Sequence, residues 1–252
     1  MSEQAPKRLN KYISDTGLCS RREADKLIEQ NRVTVNNQPP ELGTKVGPGD
    51  TVKVDGKVVG AVASDKSDRV YIVYNKPIGI TCTTERHVKG NIIDAIGHKE
   101  RIFPVGRLDK PSEGLIILTS DGDIVNKILR AENAHDKEYE VTVNQPISER
   151  FVNRMSRGVP ILGTVTKPCV VKPTGKNTFT IILTQGLNRQ IRRMCEFLGY
   201  EVTKLKRTRI MHLKLGSLKP GQWRNLTSRE LTIMQNAVRS STKTASKVEL
   251  RK

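Results

Sequence analysis

The chain has 252 residues, of which 36% are hydrophobic and 28% charged, and its formal net charge at pH 7 is +18. This length suits two unequal domains, and the composition is that of a folded protein rather than a disordered one. No apolar stretch has the length of a membrane span or the form of a secretion signal, and the four cysteines form no C-x-x-C pair. We therefore expect a cytoplasmic protein without a membrane partner, a metal site or a disulfide framework.

The excess of positive charge lies late in the chain. Residues 186–224 contain 10 basic and 2 acidic residues, whereas residues 1–60 contain 10 basic and 8 acidic ones. A solvated basic face that only aids solubility is the plainer interpretation, but an excess this localised favours a nucleic acid partner. An anionic membrane is a weaker alternative because the basic residues do not follow one amphipathic helix.

The first 60 residues indicate two helices and a small sheet. Apolar side chains of residues 8–16 share one helical face, and Ser20 with Glu23 has the pattern of a capping box that begins a second helix. Residues 33–35 alternate as a strand, and the asparagines at 36–37 tolerate a left-handed turn. These elements predict a compact module whose helices present basic side chains.

Segments 8–13, 19–24 and 33–36 resemble the S4 RNA-binding fold, although Asn37 stands where that family usually has glycine. Asparagine adopts the same left-handed backbone at little cost. In the S4 family the two helices present basic side chains to RNA phosphates. The resemblance therefore implies RNA contacts from Arg8, Lys11, Arg21, Arg22 and Lys26.

A second, larger domain follows a segment without periodicity. We expect an S4-like domain at residues 7–60, a linker at 61–69, a catalytic domain at 70–238 and a flexible basic tail at 239–252. Strands are predicted at 70–74, 115–119, 139–143, 179–183 and 210–215, and helices at 122–130, 149–155, 188–198 and 228–236. Because strands and helices do not alternate regularly, we expect an α+β fold with a mixed, largely antiparallel sheet and flanking helices.

Asp109 is the most informative single residue. It lies in a loop bounded by Gly106 and Pro111, between basic neighbours and just before a strongly apolar segment. Such a loop holds a carboxylate at the rim of a rigid sheet, where functional groups are common. On physical grounds alone, an aspartate that caps backbone amides in a turn is an equally good interpretation.

Four motifs resemble those of the RsuA-type ribosomal pseudouridine synthases, in the same order. They are a K-P-x-G element at 75–79, the catalytic-aspartate motif at 106–114, a tyrosine element at 137–139 and a basic helix at 185–194. With the S4-like module, the similarity extends from about residue 8 to residue 231. The resemblance implies an enzyme that isomerises uridine in RNA without a cofactor.

Within this family, residues 126–139 and 158–166 are most similar to the RluF-type branch. That resemblance implies a substrate in large-subunit (23S) ribosomal RNA and a second action on a transfer RNA. We also expect a monomeric enzyme. A non-catalytic S4-domain factor that binds RNA during ribosome assembly is the alternative, because S4-like modules also occur in proteins that only bind.

The resemblance also assigns roles to individual residues. Asp109 corresponds to the nucleophile, Tyr139 to the residue that stacks on the extruded base, and Arg192 to the cation that keeps the carboxylate ionised. An ordinary core tyrosine is the alternative for Tyr139. Since a base must leave its helix to react, the surrounding phosphates must be held. The candidates for these contacts, each with a solvated surface position as its alternative, are Lys76, Arg107, Arg189, Arg193, Lys204, Lys206, Arg207 and Arg209.

Two other site types fit the sequence poorly. The four histidines are scattered along the chain, which does not favour a metal site or a histidine base. Asp109 and Glu113 could form the acid pair of a glycosidase, but no array of sugar-stacking aromatic residues accompanies them.

Overall fold

The computed structural model describes residues 5–60, 69–85, 87–129 and 134–239. The chain forms two compact units, Met1–Asp68 and Arg69–Lys252. Residues 61–68 of the predicted linker and residues 240–252 of the predicted tail lie outside the described residues.

The described part of the first unit contains two helices and five short strands. These are β1 (Lys7–Arg8), α1 (Leu9–Asp15), α2 (Arg21–Glu29), β2 (Val33–Val35), β3 (Lys45–Val46), β4 (Val52–Val54) and β5 (Lys57–Val58). Strand β1 pairs with β3, and β4 pairs with both β2 and β5, all antiparallel.

The local signals read from this part of the sequence are confirmed. Ser20 and Glu23 form a reciprocal capping box at the start of α2, and Asn36 and Asn37 both have left-handed backbones, with φ of 52° and 66°. Buried apolar side chains from both helices and the strands then make one core. Its buried members are Leu9, Ile13, Ala24, Ile28, Val33, Val46, Val52 and Val54.

The described residues of the second unit form a nine-stranded sheet. Its strands are β6 (Tyr71–Lys76), β7 (Phe103–Val105), β8 (Glu113–Thr119), β9 (Lys137–Val143), β12 (Val170–Gly175), β13 (Thr178–Leu183), β14 (Val202–Ile210), β15 (Leu213–Lys214) and β16 (Trp223–Asn225). The main order is β12-β13-β9-β14-β8-β6-β16, with β15 paired to β14 and β7 paired to β8. All pairs are antiparallel except β14 with β8. The predicted mixed, largely antiparallel sheet is thus confirmed.

Helices flank this sheet, as predicted. They are α3 (Ile92–Ile96), α4 (Gly122–Leu129), α5 (Glu149–Arg157), α6 (Gln190–Phe197) and α7 (Ser228–Ala237), and a small hairpin of β10 (Pro160–Ile161) and β11 (Thr164–Val165) follows α5. No helix among the described residues is long and apolar enough to cross a membrane.

One predicted strand is wrong. Residues 210–215 do not form a single strand, because Met211 adopts a left-handed backbone with φ of 53° and turns the chain between β14 and β15. The long strand is β14, which precedes this turn and was not predicted. Its pairing with β9 contains register shifts that break the simple alternation of buried and exposed side chains.

The parallel contact between β8 and β14 depends on Gly114. A Cβ atom there would lie 2.6 Å from the backbone nitrogen of Arg207 and closer still to its carbonyl oxygen, and the φ of Gly114 is +112°. Only glycine permits both the conformation and the close approach. Asp109 lies in the loop that precedes β8. The contact between β8 and β14 therefore brings this loop beside β14.

Candidate active site

The Asp109 loop connects β7 to β8 and is held from two directions. Within the loop, the amide of Ser112 donates to the carbonyl oxygen of Asp109 at 2.9 Å. From the segment after β6, the amide of Gly79 donates to the carbonyl of Lys110 at 2.8 Å, and the thiol of Cys82 accepts from the loop at 3.4 Å. The K-P-x-G element therefore supports the aspartate loop.

Two arginines from the α6 region face the Asp109 carboxylate. Arg192 Nε lies 3.9 Å and Arg189 Nη1 lies 3.7 Å from the same oxygen, Oδ2 of Asp109. Their environments differ, since the side chain of Arg192 is 14% exposed and that of Arg189 is 46% exposed. Salt and water therefore screen the Arg189 contact more strongly than the Arg192 contact.

Arg192 is fixed by backbone and side-chain acceptors. Its Nη1 donates to the carbonyl of Val202 at 3.1 Å, and its Nη2 donates to Ser112 Oγ at 3.0 Å. Its Nε is buried without a hydrogen-bond partner. Burial lowers the pKa of the Arg192 guanidinium, Arg189 lowers it further, and Asp109 opposes both effects. The Asp109 carboxylate is thus the charged group towards which this anchored cation faces.

Ser112 was not assigned a role from the sequence. Its side chain is 1% exposed and its hydroxyl accepts from Arg192. Its position three residues after Asp109 was the sequence signal that could have indicated this role. A hydroxyl so close to the carboxylate can hold the arginine that faces that carboxylate.

Arg189 has a strained backbone at the start of α6. It is the residue that precedes the helix, yet it is left-handed, with φ of 49° and ψ of 35°. Nearby, the amide of Leu187 donates to the buried side chain of Gln190 at 3.0 Å, which closes the loop. Such strain persists where the surroundings fix it, and it is common at functional sites.

Tyr139 lies on β9 between two parts of the core. Its partly buried ring packs against the cluster beneath α5 and α6 and also against the cluster beneath α3. The guanidinium carbon of Arg207 on β14 lies 5.9 Å from the ring centroid, within the range of a cation–π contact. The tyrosine is therefore held from the side of the sheet.

A small cleft brings the predicted catalytic residues together. It has a volume of about 100 Å³, and its lining includes Arg107, Asp109, Tyr139, Arg189 and Arg192. A larger cavity of about 450 Å³, near residues 146–153 and 173–176, contains none of the predicted site residues. The structure thus places the aspartate, the tyrosine and the arginine of three separate motifs around one space.

The structure corrects two predicted RNA contacts, because these side chains are buried inside the protein. Lys76 is fully buried, and its ammonium donates to the carbonyls of Pro77 and Ile80, both at 2.8 Å. Arg207 is 4% exposed and does not reach the surface. Arg209 is paired with Glu138 at 3.0 Å. Lys76 and Arg207 cannot meet an RNA phosphate in this conformation, whereas the Arg209 side chain is 18% exposed and stays a predicted contact.

The other predicted contacts lie in more open positions. In the second unit, Arg107, Arg189 and Lys204 are exposed, whereas Lys206 and Arg193 are partly buried. In the first unit, four of the five predicted side chains are exposed, and the fifth, Lys11, pairs with Asp15 at 2.7 Å. The four exposed ones are Arg8, Arg21, Arg22 and Lys26.

Comparison with known families decides the identity. Residues 70–197 match the RNA pseudouridylate synthase family, and residues 7–52 match the S4 domain. The chain belongs to the RNA pseudouridylate synthase family. Family membership makes it an enzyme that isomerises uridine to pseudouridine in RNA, with an S4 domain before the synthase domain.

Individual synthases agree with this assignment. The chain is 55% identical to the dual-specificity RNA pseudouridine synthase RluF of Salmonella typhi, covering 94% of this chain and 82% of that one. It is 34% identical to the ribosomal large subunit pseudouridine synthase B of Bacillus subtilis, covering 89% and 93%. A crystal structure of a pseudouridylate synthase has a TM-score of 0.66 and 25% identity, covering 90% of this chain and 99% of that one.

Proposed function

We propose that this synthase modifies a specific uridine in large-subunit (23S) ribosomal RNA and also acts on a transfer RNA. The similarity to a dual-specificity synthase and to a ribosomal large subunit synthase supports this choice of substrates. The proposed enzyme acts as a monomer in the cytoplasm, and its four cysteines, all free thiols, are compatible with a reducing compartment.

The single observation that carries the proposed mechanism is the position of the Asp109 carboxylate in a cleft beside Arg192. In the proposed reaction, Asp109 acts as the nucleophile while the N1–C1′ bond of uridine breaks. The freed base turns, and its C5 bonds to C1′ while the bond between C1′ and the Asp109 carboxylate breaks, which frees the carboxylate. C5 then loses its proton and N1 gains one, so the composition of the RNA is unchanged and no electrons are exchanged with a partner.

Arg192 orients the Asp109 carboxylate. The guanidinium is anchored by Val202 and Ser112, so it does not need to reorganise when charge develops on the reacting groups. Arg189 adds a weaker attraction from a more exposed position. A preorganised cation next to the carboxylate keeps it oriented towards the cleft.

Tyr139 provides the surface on which the extruded base stacks. A flat aromatic ring accepts a base without regard to its hydrogen-bonding edge, and the phenol is also a candidate to receive the proton that leaves C5. The cleft of about 100 Å³ is below the roughly 300–1,000 Å³ of sites for drug-sized ligands. It therefore suits one flat base better than a larger group.

The exposed basic side chains supply the grip on RNA phosphates. In the synthase domain, Arg107 and Arg189 lie at the cleft, where they can contact the backbone on either side of the extruded nucleotide. In the S4 domain, the exposed side chains of Arg8 on β1 and of Arg21, Arg22 and Lys26 on α2 provide a second, separate contact. Phosphate contacts of this kind position the RNA but do not by themselves read its sequence.

The test is direct detection of pseudouridine in RNA. Unmodified 23S ribosomal RNA, small-subunit ribosomal RNA and transfer RNA are each incubated with the protein, and pseudouridine is mapped by chemical adduct formation and primer extension. We expect one strong stop in the large-subunit RNA and one in a transfer RNA. A protein that binds these RNAs without producing any stop would support the non-catalytic assembly factor instead.

A further inference from the structure

Arg207 lies directly beside the proposed base-stacking residue. In the register of β9 and β14, Arg207 is the partner of Tyr139, and its guanidinium carbon is 5.9 Å from the centre of the tyrosine ring. On its other side, Arg207 pairs with Gly114 of β8. The arginine thus connects the strand of Tyr139 to the strand that follows the Asp109 loop.

The arginine is held rigidly. Its Nε donates to the carbonyl of Leu115 at 2.7 Å, and its backbone fits against Gly114 so closely that a Cβ atom would not be tolerated there. Only 4% of the residue is exposed. A planar guanidinium fixed at the backbone and at Nε can present its face in one orientation only.

This placement is unfavourable for stability. The Nη2 atom of Arg207 is buried without a hydrogen-bond partner, and among the described residues no carboxylate forms an ion pair with it. Lys137 is a second buried cation close to Arg207. Burial lowers the pKa of the Lys137 ammonium, and the charge of Arg207 lowers it further, to about 8. In some proteins a buried charge that weakens the fold is retained because it fixes one conformation.

We propose that Arg207 is a positioning residue for Tyr139, fixing the plane of the ring on which the uracil stacks; this rests on the proposed role of Tyr139. The contact pairs a flat cation with a flat ring, and the ring also packs between two core clusters. Lysine could supply the charge but not the planar face. Arg207 therefore acts through Tyr139 and does not touch the RNA.

The first arm of the test measures activity in Arg207→Met and Arg207→Lys. Under single-turnover conditions with saturating protein, we expect the rate of pseudouridine formation to fall at least tenfold in Arg207→Met and about threefold in Arg207→Lys, a partial rescue because the charge is kept. The dissociation constant for RNA should stay within twofold. The midpoint of thermal unfolding of Arg207→Met should be unchanged or higher, since a buried charge is replaced by an apolar chain of similar length.

The second arm observes the ring itself and needs no turnover. The chain has five tyrosines, and in protein labelled with 3-fluorotyrosine the resonance of residue 139 is assigned by its loss in Tyr139→Phe. Arg207→Met should shift or broaden that ¹⁹F resonance. If the unchanged protein forms no pseudouridine, the proposed function fails while this arm still tests the positioning.

Three results would overturn the proposal. They are a rate for Arg207→Met within twofold of the unchanged protein, weaker RNA binding that accounts for the whole loss, and an unmoved resonance of residue 139. If Arg207→Met does not fold, Arg207→Lys is measured in the same way, and a rate equal to that of the unchanged protein would be equally decisive.

Discussion

Arg192 and Arg189 offer a controlled test of how burial strengthens electrostatics in this site. The two side chains lie 3.9 and 3.7 Å from the same oxygen of Asp109, but they are 14% and 46% exposed. Distance alone predicts similar effects for the two arginines. The proposed mechanism predicts very different ones, because the less exposed pair is poorly screened.

The expected magnitudes follow from Coulomb's law. At about 4 Å, two unit charges attract by about 1 kcal/mol in water and by about 4 kcal/mol at an effective dielectric constant of about 20. Because the Arg192 side chain is mostly buried, its attraction to Asp109 lies nearer the value of about 4 kcal/mol. At about 1.4 kcal/mol for each factor of ten, Arg192→Met should slow the reaction roughly 100-fold or more. Because the Arg189 side chain is more exposed, its attraction to Asp109 lies nearer the value of about 1 kcal/mol. Arg189→Met should therefore slow the reaction less than about tenfold.

The assay is single-turnover pseudouridine formation with saturating protein, so that weaker RNA binding does not enter the rate. Arg193→Met, in which the lost side chain bonds to Asn188 rather than facing Asp109, controls for removing a charge from α6. Raising the salt concentration should diminish the effect of Arg189→Met but not that of Arg192→Met. If Arg189→Met slowed the reaction as much as Arg192→Met, the argument from burial would be refuted.

Three further predictions concern stability and RNA binding. Gly114→Ala should lower the free energy of unfolding by about 3 kcal/mol, because the added Cβ atom clashes with the backbone of β14. The control is Gly163→Ala, at a left-handed glycine with open space around it, which should lose only about 1 kcal/mol. Equal losses of the two variants in urea melts would contradict this prediction. Glu230, in the first turn of α7, accepts two hydrogen bonds from Arg224, both at 2.8 Å, and one from the amide of Thr227 at 2.9 Å. Glu230→Gln should therefore lower the free energy of unfolding by about 1–2 kcal/mol at pH 7. In the folded protein the pKa of Glu230 is lowered to about 2, chiefly by hydrogen bonds from a neighbouring arginine. The stability difference between the unchanged protein and Glu230→Gln should therefore be full above pH 4.5 and vanish as the pH falls towards 2. A stability difference that persists in acid would refute the role of the Glu230 charge. Combined Arg21→Ala and Arg22→Ala should reduce the slope of log affinity against log salt by about 1–2, and an unchanged slope would remove both residues from the interface.

Much of the fold could be predicted because local signals agree with the final structure. Ser20 and Glu23 mark the start of α2 by chemistry that involves only neighbouring residues. Strand β14 could not be predicted in this way, since its register shifts against β9 place Leu205 and Arg207 in the interior while other basic residues of the strand stay accessible. The long-range pairing, rather than the alternation of residues, decides which side chains are buried.

In the candidate site, too, the sequence predicts some features, and others depend on long-range packing. The motif order was sufficient to predict that Asp109, Tyr139 and Arg192 would be near one another, and they line one cleft. The direction of a basic side chain could not be read from its motif. Lys76 turns inwards because two carbonyls of its own turn accept from its ammonium, and Arg207 turns towards Leu115 and Tyr139.

The central claim is that one carboxylate performs the attack on the ribose carbon. Asp109→Asn keeps the shape of the side chain but removes the charge. We expect this variant to bind the RNA substrate with a dissociation constant within about threefold of the unchanged protein, a change of less than about 1 kcal/mol, and to form no pseudouridine by primer-extension mapping. Pseudouridine formed by Asp109→Asn at the rate of the unchanged protein would contradict the proposed mechanism.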